Sequence, residues 1–157
     1  MIIPLENQNP HFPLDGNPHL FQPFTLGKIP NGHIGVDWDI IPKTPTRAIL
    51  NGVVVITVED SKVYGRYLTL AHADGCLSLY AHLSKILVHK GDQVLGGTVI
   101  ALSGGARGAD GSGMSTGWHL HLEIRVPFHW ESSKFNIDPI EYINSYMKLQ
   151  GDYANNR

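Results

Sequence analysis

Arg66-Tyr-Leu-Thr-Leu-Ala-His72, then Ala73-Asp-Gly75, then Cys76-Leu-Ser-Leu-Tyr-Ala-His82 decides the fold class. Two runs rich in apolar and aromatic residues flank an Asp-Gly bend, a strong hairpin signal. The same grammar extends in both directions. Upstream, Gly52-Val-Val-Val-Ile-Thr-Val58 is short and β-branched, as buried strands are. Downstream, Val88-His-Lys-Gly-Asp-Gln-Val94 and Gly96-Gly-Thr-Val-Ile-Ala-Leu102 predict two more short strands around glycine turns, and Trp118 to Val126 predicts a last core strand. Ser103 to Gly117 holds six glycines and is expected to be a long loop, the kind of segment that lines functional sites on a rigid sheet.

The flanks complete the organisation. The pattern turns to strands from about residue 34. Before it, prolines at 4, 10, 13, 18, 23 and 30 predict an extended arm over residues 1–30 that lies across the core. Residues 31–150 are expected to form the main domain. Asp138-Pro-Ile-Glu-Tyr-Ile-Asn-Ser-Tyr-Met-Lys148 predicts a short helix with Asp138 as N-cap and Pro139 in its first turn. The fold class expected is therefore mainly β with a short C-terminal helix. The chain's 157 residues suffice for one core, and 17 glycines with only 17% charged residues suit many short strands rather than a helical bundle.

Composition also excludes functions. The net charge is −2 with no run of Lys or Arg, which disfavours phosphate neutralisation and hence nucleic-acid binding. The lone Cys76 excludes an intramolecular disulfide framework and any thiolate-rich metal site. A metal would have to be bound by His, Asp or Glu. No stretch approaches the roughly 18 apolar residues of a membrane span. The start, MIIPLENQNPHFPLDG, lacks a basic, apolar and small-residue succession and does not read as a signal peptide.

Nine histidines concentrate the chemistry. His119 and His121 are two apart in a predicted strand, so both imidazoles project from one face. Glu123 continues that face, either as an acceptor for an imidazole N–H or as an ordinary strand carboxylate. His33 and Asp37, in Gly32-His-Ile-Gly-Val-Asp-Trp-Asp39, offer the N and O donors that Zn²⁺ accepts, although Asp39 is an equally acidic neighbour. His82 ends its predicted strand, as a half-buried residue bonded to a carbonyl or as part of a site. His72 reads as a structural strand-end residue, and His11, His19, His89 and His129 as exposed ones.

In their order, His33-Ile-Gly-Val-Asp37, Asn51-Gly-Val-Val54, Tyr80-Ala-His-Leu83, Lys90-Gly-Asp-Gln-Val94 and Ser115-Thr-Gly-Trp-His-Leu-His-Leu-Glu123 resemble the lysostaphin-type zinc endopeptidases, peptidase family M23, over about residues 30–143. The resemblance implies a compact antiparallel β-sheet or β-roll with a substrate groove edged by loops. It implies one zinc per chain held by His33, Asp37 and His121, with His82 and His119 as catalytic groups. The substrate implied is the peptide part of peptidoglycan, cut outside the cytoplasm by a protein secreted or phage-delivered, with a monomer expected. Trp118 stands where the family usually has Pro, Leu122 where Phe is common, and the loop Gly104–Met114 is longer than usual. These departures bear on the groove wall, not on the five site residues. A non-catalytic wall-binding or hydrolase-activating member of the same fold is the alternative. A lipoyl or biotinyl carrier, suggested by Val88 to Gly97, lacks the exposed lysine turn such carriers need.

Overall fold

The computed structural model describes residues 7–129 and 132–155. Among the described residues ten strands and one α-helix follow in order, with a 3-10 turn at Ser133–Phe135 before the helix: β1 His19–Gln22, β2 Val36–Asp39, β3 Pro45–Arg47, β4 Gly52–Val58, β5 Tyr67–Ala71, β6 Leu77–Ala81, β7 Leu83–Ile86, β8 Gln93–Val94, β9 Val99–Ser103, β10 His119–Arg125 and α1 Pro139–Asn155. They build a seven-stranded sheet in the order β1-β2-β10-β6-β5-β4-β8 and a three-stranded sheet in the order β3-β9-β7. Every pairing is antiparallel. The expected mainly-β class with an antiparallel sheet and a C-terminal helix is what the chain adopts.

The Asp-Gly hairpin closes as its residues dictate. Gly75 takes φ +83°, a conformation that costs glycine little, and the Asp74 carboxylate accepts the Cys76 N–H at 2.9 Å. Two expectations need correction. The segment 88–94 contributes only the two residues of β8, because Gly91 and the Asp92 side chain fold residues 89–92 into a turn. The helix runs on to Asn155 instead of stopping near 148. Its start is as expected: Asp138 caps it through a 2.9 Å bond from the Ile140 N–H.

Alternation along the strands sorts the side chains. Val36, Trp38, Leu120, Leu122, Ile124, Leu68, Leu70 and Tyr80 point from the large sheet into the core. Leu83, Ile100 and Ala101 meet them from the small sheet, and Tyr142, Ile143 and Tyr146 from α1. Each fully buried aliphatic side chain contributes roughly 1.5–3 kcal/mol. The opposite face of β2 and β10 carries Asp37, His119, His121 and Glu123. The N-terminal segment is joined to this body: β1 forms the edge of the large sheet, Leu14 and Phe24 are buried, and Arg47 forks onto the Asp15 carboxylate at 2.8–3.0 Å.

Candidate metal centre and groove

The β2–β10 register sets His121 opposite Asp37 and His119 opposite Asp39. His121 Nδ1 lies 2.7 Å from the Asp37 carboxylate. His33, on the loop before β2, places its Nε2 3.3 Å from His121 Nδ1 and 3.5 Å from Asp37. One donor atom from each residue falls within a sphere of mutual distances no greater than 4.8 Å, the one such cluster among the described residues. Asp39, the rival carboxylate, points instead to the exposed His19 at 3.1 Å. Gly35 permits the close approach of the His33 loop to β10: a Cβ there would come within 2.4 Å of the Leu122 carbonyl and 2.8 Å of the His121 ring.

Each imidazole's second nitrogen has a partner that decides which nitrogen is free. His33 Nδ1 faces the Pro23 carbonyl at 3.2 Å, which can only accept, so Nε2 carries the lone pair. His121 Nε2 lies 3.1 Å from Glu123 Oε1, leaving Nδ1 for the Asp37 side. Glu123 is wholly buried and is further held by the Tyr64 hydroxyl at 2.7 Å, Arg125 Nε at 3.0 Å and Asn136 Nδ2 at 3.0 Å. Of its two readings, the structure selects the acceptor for an imidazole N–H. Three N and O donors with oriented outer partners and an open side towards a groove suit a four-coordinate cation that keeps one position for water.

The other two imidazoles complete the group. His82 donates Nδ1–H to the Ser112 carbonyl at 2.8 Å, and His119 Nδ1 lies 3.0 Å from the Gly117 carbonyl. Both therefore direct Nε2 away from their loops, and their ring centroids are 4.7 Å apart. His119 Nε2 is 3.9 Å from Asp37. His82 sits at the corner where the chain leaves β6 for β7 and the second sheet, with φ +59°. Such a backbone in a non-glycine residue costs roughly 1–3 kcal/mol and is held here by the bond from the His82 N–H to the Tyr64 carbonyl. The glycine-rich loop is pinned as well: Arg66 bonds Asp110 at 2.7 Å, and Gly111, at φ +76°, leaves no room for a Cβ against the Leu83 carbonyl.

The charges follow from these partners. Burial opposes a charge on His121, but Asp37 and Glu123 outweigh it and push its pKa up to about 9. Burial likewise opposes ionisation of Glu123, and His121 and Arg125 hold it down to about 2. Asp37 is lowered against its own burial by His121 and His33. Burial pushes His33 down, and lowers His82 to about 4 with the help of neighbouring His119 and His121. A cation held by the same donors would compete with the proton that Asp37 and Glu123 favour on His121.

These five residues head a groove of about 550 Å³. Its rim is apolar and exposed: Phe21 from β1, Val63, Met114 and Trp118. Residues 31–139 match Peptidase family M23. The chain belongs to this family. Among its M23 relatives, the peptidoglycan DD-endopeptidase ShyA of Vibrio cholerae is 37% identical over 110 residues, 70% of this chain and 24% of that protein. The glycyl-glycine endopeptidase ALE-1 of Staphylococcus capitis is 36% identical over 104 residues, 66% of this chain and 27% of that protein. The chain thus spans about a quarter of the length of these curated relatives. The catalytic domain of lysostaphin from Staphylococcus simulans, an antimicrobial peptidase, superposes with TM-score 0.63 at 31% identity, over 89% of this chain and 95% of that one.

Sequence reasoning missed the outer partners. Tyr64, Ser112, Arg125 and Asn136 lay in none of the motifs that carried the M23 resemblance. Arg125 alone left a trace, lying two residues past Glu123 on the same strand face. His72 is buried between the Asn51 carbonyl at 2.9 Å and the Ser78 hydroxyl at 2.8 Å, and so is structural as expected. His19, on β1, and His89 and His129 are exposed as expected, while His11 is half-buried against the Phe12 carbonyl.

Proposed function

We propose that this chain is a zinc-dependent endopeptidase that hydrolyses peptide bonds in peptidoglycan, with His33, Asp37 and His121 holding the zinc and His82 and His119 as the catalytic groups. The observation that carries the reading is the convergence of those three donor sets at the head of a groove, with two further imidazoles beside them. When bound, zinc supplies Lewis acidity at the scissile carbonyl and lowers the pKa of a water towards about 7. The chain's own residues do the rest. The carbonyl acceptors at Ser112 and Gly117 keep Nδ1 of His82 and His119 protonated, so their Nε2 atoms face the groove as proton acceptors. One takes the proton of the attacking water and passes it to the leaving amine as the C–N bond breaks; the other, taking a proton from solvent, would donate to the oxyanion. The apolar rim of Phe21, Met114 and Trp118 holds an extended peptide and limits water around it. All five site residues come from one chain, which supports a monomer as the working unit.

The substrate class rests on the M23 relatives, of which one is named a peptidoglycan DD-endopeptidase and another a glycyl-glycine endopeptidase, at nearly equal identity. We therefore assign the peptide part of the wall, outside the cytoplasm, as the target. The complete five-residue set argues against a purely wall-binding or activating role. Turbidity loss of purified peptidoglycan with zinc-loaded protein, with new amino groups located by mass spectrometry, tests the reading. Cleavage by wild type but not by His33→Ala or His119→Ala is expected. No cleavage of walls of any cross-bridge type, with stoichiometric zinc bound, would overturn it.

A further inference from the structure

The N-terminal segment bears directly on the metal centre. His33 stands at the end of a closed loop that starts at Thr25. The Thr25 hydroxyl accepts the His33 backbone N–H at 2.7 Å, and the N–H groups of Thr25 and Leu26 both reach the His33 carbonyl at 3.0 Å. Two residues earlier, the Pro23 carbonyl takes His33 Nδ1. Backbone and imidazole of His33 are thus both held by residues 23–26. That stretch is itself anchored, because β1 pairs with β2 in register Gln22↔Asp37 and Phe24 is buried. Gly32 closes the loop: a Cβ there would fall 2.1 Å from the Thr25 carbonyl oxygen.

We infer that residues 23–26 are a positioning clasp for His33, so that the N-terminal segment is part of the metal site and not a removable cover over it. Thr25 and Pro23 touch neither substrate nor metal; they act through His33. The inference rests on His33 being a ligand. Outer partners of ligating histidines typically change metal affinity by about 10–100-fold. The loss is expected in affinity first, since the clasp fixes where Nε2 points. A segment that merely covered the groove would behave in the opposite way, and its disruption would raise activity without touching affinity.

The test uses the full chain carrying Thr25→Val, Thr25→Ser, Gly32→Ala and His33→Ala. Zinc affinity is read by competition with a chromophoric chelator, and metal-free melting temperature is read alongside. Thr25→Val and Gly32→Ala should weaken zinc binding at least tenfold, and Thr25→Ser, which keeps the hydroxyl, should bind within about twofold of wild type. Wild-type affinity in Thr25→Val, or a fall in metal-free melting temperature with affinity unchanged, overturns the clasp. Wild-type affinity in His33→Ala overturns the ligand reading itself, a separate failure.

Discussion

His72, just past the end of β5, and His121, on β10, are equally buried, each 6% exposed, and both ring nitrogens of each have polar partners. Their partners set them apart. His72 lies between a carbonyl and a hydroxyl, both neutral, and burial lowers its pKa. His121 lies between two carboxylates, Asp37 and Glu123, which raise its pKa to about 9. A neutral cage leaves an imidazole neutral and structural. A cage with two negative charges demands a positive centre, which a proton or a cation can supply. Burial of a histidine therefore says little about function until the charge of its partners is known.

Substitutions at the two positions should separate most at the metal. His121→Ala is expected to abolish zinc binding and reduce wall hydrolysis to the blank rate, measured by chelator competition and turbidity. His72→Ala should keep both zinc stoichiometry and activity per folded molecule. If His72→Ala lost zinc, the contrast between neutral and charged cages would fail. Next in size, His82→Ala and His119→Ala should lower kcat by about 10²–10⁴-fold with zinc still bound, as the roles proposed for them beside the metal and not among its ligands require. Glu123→Gln tests the charged cage more finely: it keeps the shape but removes one negative charge. Zinc affinity should fall about 10–100-fold, while Tyr64→Phe, which removes only one of the donors to Glu123, should cost less.

The smallest effect is on stability. His72→Ala leaves the Asn51 carbonyl without its ring N–H and the Ser78 hydroxyl with the Tyr80 hydroxyl alone, and should cost about 1–3 kcal/mol, read as a drop of several degrees in Tm. Its pH dependence has a definite sign. The folded pKa of His72 is lowered, so below about pH 6.5 the unfolded chain gains a proton that the folded chain refuses. The contribution is complete above pH 6.5 and is lost as pH falls towards the depressed folded value. His72→Gln should flatten the difference in denaturant stability between pH 7 and pH 5. An unchanged slope would mean that His72 is not the group that titrates.

Local chemistry was legible where a few adjacent residues settle the outcome. The Asp-Gly hairpin, the run Gly52–Val58, the strand bearing His119 and His121 and the Asp138 cap all follow from period, turn residues and capping, and the structure has them. The Pro-rich stretch hid a strand, since His19–Gln22 is only four residues between two prolines and gains its pairing from β2. The three-residue β3 and the division into two sheets were hidden for the same reason: such short strands are stabilised by partners distant in sequence.

The sequence alone determined the mainly-β class, the exclusion of thiolate metal sites and, through its ordered motifs, the five residues proposed for zinc and catalysis. Tertiary structure decided everything that depends on two distant segments meeting. It brought His33, Asp37 and His121 within reach of one another, turned Asp39 away to His19, made Glu123 the carboxylate that orients His121, and recruited Tyr64 and Asn136 to hold it. The physical reason is range. Turns, caps and strand periodicity are set by neighbours in the chain, whereas the charge and geometry of a buried imidazole are set by groups that only folding places within 3 Å.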